Sequence, residues 1–326
     1  MAAHTAANLY SFLASGAGEF GGVVVGNDKT ALFCRDACLL LGIKPFVLPD
    51  IRAVVGEDLR SYQEEMIALG ESLGDFYRHR DQNGFLIAPC HTISKFLPSA
   101  ELYGSFTLNF GDTIDIIKLK AQLLNYGYDS VDIVEQKGEA SFRGEVIDIF
   151  LSASKSAVRI LLNSEQIESI RYFDTATQKS EKTELESIEI RPAVFSLKHS
   201  DKAKIDALIA EDPSNTLIKD TLSLGLWKLQ ELSLGVNLLE NYRFCICDEA
   251  KDEIEDAYIN PQGMIDKHYF DLLQTVPNSG AFKALLTDDP KTLIEFHKTK
   301  QITIALAYET QLKANAIDLK NAPKNA

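Results

Sequence analysis

The chain has 326 residues, 45% hydrophobic and 25% charged, enough to bury a large core over about two domains and too apolar for a disordered chain. Its formal net charge of -14 excludes attraction of nucleic-acid phosphates by the overall field; with no Lys/Arg-rich run, a protein partner is the better expectation. Neither a run of ~20 apolar residues nor a charged segment leading into one is present, and the five cysteines are irregularly spaced, so the reading is a cytoplasmic chain with reduced thiols and no membrane helix.

In the first third, short apolar runs alternate with helical patterns. "GGVVVG" (21–26) reads as a buried strand. "DKTALFCRDACLLLG" places Ala31, Cys34, Cys38 and Leu41 at helical spacing, with Gly42 as a stop. "KPFVLPD" is a second strand, "RSYQEEMIALGESLGDFYRHR" a second helix, "GFLIAPC" a third strand and "HTISKFLP" the start of a further helix. This alternation predicts a parallel sheet covered by helices.

The middle third changes period. "TLNFGDTID" is extended; "IIKLKAQLLNYGY" is an amphipathic helix with Ile116, Leu119, Leu123 and Leu124 on one face, ended by Gly127. "SFRGEVIDIFL" (141–151), "AVRILLN" (157–163), "IESIRYFD" (167–174) and "TELESIEIRPA" (183–193) are then strand-length runs with brief polar connections, hence antiparallel. The last third returns to helices, "SDKAKIDALIAED", "IKDTLSLGLWKLQELSLG" and "DPKTLIEFHKTK", and to the strands "RFCICD" and "QITIALAY", before a polar tail.

Asp248 and Glu249, in "FCICDEA", stand where an ATPase places its second acidic motif, at a strand end, to hold Mg²⁺. The phosphate loop that should accompany them is missing. In "GVVVGNDKT" Asn27 and Asp28 separate Gly26 from Lys29, and "SGAGEF" (15–20) has glycines without Lys-Ser/Thr. The plain reading of Asp248 and Glu249 is an acidic first turn favoured by the helix dipole. The alternative is an active ATPase with an unorthodox phosphate site around Gly26 to Thr30. No cysteine or histidine spacing matches a structural zinc site, so no metal is expected, and no histidine lies in a nucleophile motif. Trp227 reads as a core or interface residue.

Arg143 and Arg159 fall on strand patterns of the middle third. On neighbouring antiparallel strands they would stand side by side, each offering a planar donor fork suited to carboxylates. One reading is a docking surface; the other is two exposed arginines balancing Glu139, Glu145 and Asp148.

The same segment, "GEASFRGEVIDIF" followed by "VRILLNSEQIESIRYFDTATQKS", closely resembles the second domain of bacterial transcription-repair coupling factors (Mfd), which those proteins share with UvrB. "LLNYGYDSVDIVEQKGE" resembles the approach to that domain and "IEIRPAVF" its exit. "VVVGNDKTALFCRDACLLLG" is similar to the strand-helix pair after the UvrB phosphate loop, and "RFCICDEA" falls at the acidic motif, so the resemblance spans about residues 8 to 250. It implies an α/β fold: a degenerate RecA/helicase-like parallel-sheet scaffold (1–108 and 196–326) with an inserted small α+β antiparallel domain (109–195). It further implies a non-catalytic module in which Asp248 and Glu249 are relics. That module would recruit UvrA through Arg143 and Arg159, with Asn163 standing where the family has an aromatic. No cofactor is implied for this chain. ATP, Mg²⁺, RNA polymerase and DNA would be handled by other domains of an ATP-driven translocase. The UvrB DNA-clamping hairpin corresponds to the short acidic "PDIRAVVGEDLRSYQEE", so DNA clamping is not expected.

Overall fold

A computed structural model describes residues 2–15, 20–54, 56–79, 84–211, 221–257 and 264–278. The first elements are α1 (Ala2–Ala14), β1 (Gly22–Val25), α2 (Asp28–Leu40), β2 (Lys44–Val47), α3 (Gln63–His79), β3 (Gly84–Pro89), α4 (Cys90–Ile93) and β4 (Leu97–Pro98). The middle holds β5 (Phe106–Asn109), α5 (Ile116–Asn125), β6 (Asp129–Ser130), β7 (Glu139–Arg143), β8 (Val146–Ile149), β9 (Ala157–Asn163), β10 (Gln166–Asp174), β11 (Lys179–Glu184) and β12 (Ser187–Ile190). Then come α6 (His199–Glu211), α7 (Thr221–Leu224), β13 (Gly235–Val236), α8 (Leu238–Asn241), β14 (Phe244–Ile246), α9 (Asp248–Ala257), α10 (His268–Asp271) and β15 (Gln274–Thr275).

Five strands form a parallel sheet in the order β15-β14-β1-β3-β2. Its central strand is a continuous apolar run because both faces are covered. Val24 enters one core with Leu69, Leu73 and Phe76 of α3, whereas Val23 and Val25 enter another with Leu9 of α1 and Ala31, Cys34 and Cys38 of α2. β1 pairs with β14, so the early and late segments share one sheet.

The second sheet has six strands in the order β11-β10-β9-β8-β7-β6, antiparallel except for the short β6–β7 pair. Leu119 and Leu123 of α5 pack on its inner face against Ile147, Ile149, Val158 and Ile160. β5 and β12 pair antiparallel at its base, so the chain enters and leaves this unit side by side, as an insertion requires. Ion pairs join it to α3: Arg191 to Asp75 at 3.0 Å and Lys137 to Glu71 at 3.3 Å.

Some expectations need correction. Residues 141–151 are not one strand: Gly144, at φ +62°, turns the chain between β7 and β8. Residues 183–193 divide between two sheets, β11 joining β10 and β12 joining β5. Leu124 is exposed rather than on the core face of α5. "HTISKFLP" is one helical turn leading into β4. Among its described residues the run around Trp227 is helical only in α7 and continues as turns from Gly225, at φ +62°. Trp227 is nevertheless a core residue, its indole N–H donating to the Glu57 carbonyl at 3.0 Å. Most of "SGAGEF", the helix "DPKTLIEFHKTK", the strand "QITIALAY" and the tail lie outside the described residues. Among the described residues no helix is long and apolar enough to cross a membrane.

Candidate functional site

The outer face of the six-stranded sheet carries a row of polar side chains, because alternate residues of each strand point the same way. Ser141 stands opposite Asp148, Asp148 opposite Arg159, Arg159 opposite Arg171, and Arg171 opposite Glu184. Arg143 lies two residues from Ser141 on the same face. The two sequence-selected arginines are therefore not on neighbouring strands; β8 runs between them, and Asp148 on β8 joins them.

Asp148 is fully buried. Its Oδ2 accepts from Arg143 Nη2 at 2.5 Å and from Arg159 Nη2 at 2.8 Å, and its Oδ1 accepts from Arg159 Nε at 2.7 Å. The hydrogen bond that Arg159 donates to Asp148 outweighs desolvation and holds its guanidinium above the usual range, firmly charged. Arg159 also donates to the Gln178 carbonyl at 3.0 Å and lies over the Phe173 ring at 4.5 Å. Gln178 takes a left-handed conformation, φ +58°, and its amide bonds the Thr175 and Val134 carbonyls. The two arginines thus differ: the Arg159 side chain is 17% exposed and clamped, while that of Arg143 is 45% exposed. Of the acids named with them, Asp148 is the shared partner. Glu139 instead caps the 135–136 backbone, and Glu145 meets the Ser164 N–H. Asn163 is exposed at the end of β9, on the face of Arg159 and Leu161. Sequence reasoning missed Arg171, whose Nη2 pairs with Glu184, and the central role of Asp148. The legible signal was an acid with apolar neighbours on both sides in "VIDIF".

The acidic motif lies elsewhere, at the carboxyl ends of the parallel strands. Asp248 is exposed and Glu249 half-buried in the first turn of α9, with Glu249 Oε2 accepting from Thr5 of α1 at 3.3 Å. In the Gly26 to Thr30 turn Asn27 already engages part of the helix start. Asn27 Oδ1 accepts from the Thr30 N–H at 3.1 Å and from its hydroxyl at 3.4 Å, and Thr30 is fully buried. Asp28 accepts from the Asp50 N–H at 2.9 Å; burial, then the Asp50 charge, pushes its carboxyl up.

Beside this turn stands a group that the sequence reading did not assemble. Cys90 opens α4 directly after β3, and its thiol points at the Gly26 carbonyl, 3.5 Å away. His91 follows it, with Nδ1 3.1 Å from Asp50 Oδ1 and Nε2 3.6 Å from Glu253 Oε2 of α9. Burial pushes the Asp50 carboxyl up, but hydrogen bonds from His91 and Arg52 overcome this and leave it below the usual carboxylate range. The remaining cysteines, Cys34, Cys38, Cys245 and Cys247, are all buried in the core between α2 and the sheet and behave as small hydrophobes.

Residues 106–194 match the UvrB interaction domain family. The chain is also 34% identical over 285 residues to the transcription-repair-coupling factor of Helicobacter pylori strain J99, covering 86% of this chain and 28% of that protein. Residues 106–194 are a UvrB interaction domain. The transcription-repair-coupling factor of Staphylococcus aureus strain USA300 is 36% identical over 223 residues, 68% of this chain and 16% of its own length. That of Bacillus subtilis strain 168 is 32% identical over 174 residues, 52% of this chain and 14% of its own length. The chain is thus homologous to part of these coupling factors and spans 28% of the length of the first of them. The matched domain runs from β5 to just past β12, and so contains the whole polar row around Asp148.

Proposed function

We propose that this chain is the recruiting part of a transcription-repair-coupling factor, and that its UvrB interaction domain docks the excision-repair protein UvrA without catalysis of its own. The observation that carries the reading is the arginine pair gathered on buried Asp148. Arg159 is fixed as a charged platform, and Arg143 presents the more exposed fork to a carboxylate on the partner. Asn163 and Leu161 extend the same face toward the β9–β10 turn. The parallel sheet serves as the scaffold from which this domain projects. ATP-driven translocation, and contacts with RNA polymerase and DNA, belong on this reading to regions outside these 326 residues. The setting would be cytoplasmic.

The absence of catalysis in this chain is supported by the Gly26 to Thr30 turn. Its helix N–H and its threonine hydroxyl are engaged by Asn27, and two carboxylates, Asp28 and Asp50, stand where a triphosphate would be repelled. Docking is tested by titrating UvrA with the wild-type chain and with Arg143→Ala, which leaves the Arg159–Asp148 pair in place. Weakened binding is expected; unchanged affinity in Arg143→Ala and in Arg143→Ala/Arg159→Ala would reject the assigned site. The ATPase alternative is tested by thermal stabilisation with millimolar Mg-ATP. A site filled at 100 times its Kd would add about 2.7 kcal/mol, and no shift is expected.

A further inference from the structure

We propose that Cys90, His91 and Glu253 form a binding site for a thiophilic divalent cation of the zinc type, at the carboxyl ends of β3 and β14. One donor atom from each of these residues lies within 4.8 Å of the other two, the one such trio among the described residues. His91 Nε2, the nitrogen an ion would take, is 3.6 Å from Glu253 Oε2, and the Cys90 thiol lies beside the same ring, 3.7 Å from Nδ1. Tetrahedral zinc with its usual bond lengths sets neighbouring sulfur, nitrogen and oxygen donors about 3.4–3.6 Å apart. The Nε2–Glu253 separation already matches two zinc donors, while Cys90, whose thiol lies beside Nδ1, must turn toward Nε2 to complete the site.

Three features favour this cation class. The donors are one sulfur, one imidazole nitrogen and one carboxylate oxygen, a mixture that suits zinc and its neighbours rather than Mg²⁺ or Ca²⁺, which prefer oxygen alone. Asp50, only 5% exposed, holds His91 Nδ1 at 3.1 Å. That bond leaves Nε2, the nitrogen facing Glu253, for the metal, in the carboxylate–histidine–metal arrangement that orients ligating imidazoles. Finally, Cys90 and His91 sit at a strand-to-helix junction whose backbone is fixed by β3, while Glu253 comes from α9 packed against it. Binding would displace the Cys90 thiol proton to solvent and leave a fourth position for water beside Glu253, which is 37% exposed. The ion would tie α4 to α9. This proposal is independent of the UvrA-docking reading.

The test uses the reduced, chelator-stripped 326-residue chain titrated with Co²⁺ alone, then back-titrated with Zn²⁺. One equivalent of Co²⁺ should give a sulfur-to-cobalt charge-transfer band in the near ultraviolet, bleached by Zn²⁺ and untouched by Mg²⁺. Cys90→Ser should abolish the band. Glu253→Gln, at a half-exposed position that perturbs folding little, should weaken cobalt affinity at least tenfold, and Asp50→Asn by about 10–100-fold. Cys34→Ser should leave the titration unchanged. The proposal is overturned if no thiolate band appears, if the band survives Cys90→Ser, or if Glu253→Gln binds cobalt like the wild type.

Discussion

Replacing Asp148 with Asn is the sharpest perturbation of the polar row on the six-stranded sheet. The side chain keeps its shape and loses its charge, while two guanidinium groups remain around it, donating at 2.5, 2.7 and 2.8 Å. Arg143 is exposed enough for solvent to screen it, so its share of the loss is under about 1 kcal/mol. Arg159 is different: 17% exposed, it stays beside a neutral amide with its charge uncompensated. Removing one partner of a buried pair costs about 3–5 kcal/mol, and residual exposure of Arg159 places the expected loss near the low end, about 3 kcal/mol. Hydrogen–deuterium exchange resolves where the loss falls. Peptides from β7 to β10 should exchange up to ~150-fold faster, the equivalent of that energy. Peptides from β1 and β3 should be unaffected. Asp148→Asn/Arg159→Gln, which removes the stranded charge, should recover part of the protection, so the two changes would not add. Acceleration below about 5-fold, or spread equally over both sheets, would refute the view that Asp148 organises this face.

Lys95 is almost fully buried, and burial pushes its amine down to about 8 despite the nearby Asp50 charge. Its folded-state value lies below the unfolded one, so the charged amine burdens the fold fully below pH 8 and the burden is lifted as pH rises toward 10.5. Stability should therefore gain up to about 3 kcal/mol across that window relative to Lys95→Met, measured by urea unfolding at each pH, and parallel profiles would contradict this. Gly127 sits at φ +80°, and a Cβ there would lie 2.8 Å from Thr221 Oγ1. Gly127→Ala should lower urea-derived stability by about 2 kcal/mol, and a neutral result would show that the turn relaxes. UvrA affinity should fall as ionic strength rises through ~0.15 M, more for the wild type than for Arg143→Ala; salt-independent binding would exclude a charge-led contact.

The parallel scaffold was readable because its strands are unbroken apolar runs between helical stretches, as in "GGVVVG" and "GFLIAPC". The inserted unit was readable from its change of period to two. The breaks inside it were not: Gly144 reverses the chain in the middle of an apolar pattern that alternation alone carries through to Leu151. Alternation says that Arg143 and Arg159 can share a face, but it does not say which strand lies between them. That depends on the turn, and with it the recognition of Asp148 as their common partner. The Cys90, His91 and Glu253 group was invisible for a different reason, since Glu253 arrives from the far end of the chain through strand order alone. The helical reading around Trp227 failed because periodicity persists through Gly225, where a left-handed backbone ends the helix.

Pairing of β1 with β14 has a consequence for synthesis. Gly22 meets Phe244, roughly 220 residues further along, so a ribosome making 5–20 residues per second leaves β1 without that neighbour for roughly 10–45 s. Between the two strands lies a unit whose own sheet and core are assembled from residues 106–193. The antiparallel unit can therefore mature before the parallel sheet that carries it. Chaperone capture during translation would then concentrate on the early valine strand and its helices rather than on the arginine-bearing face.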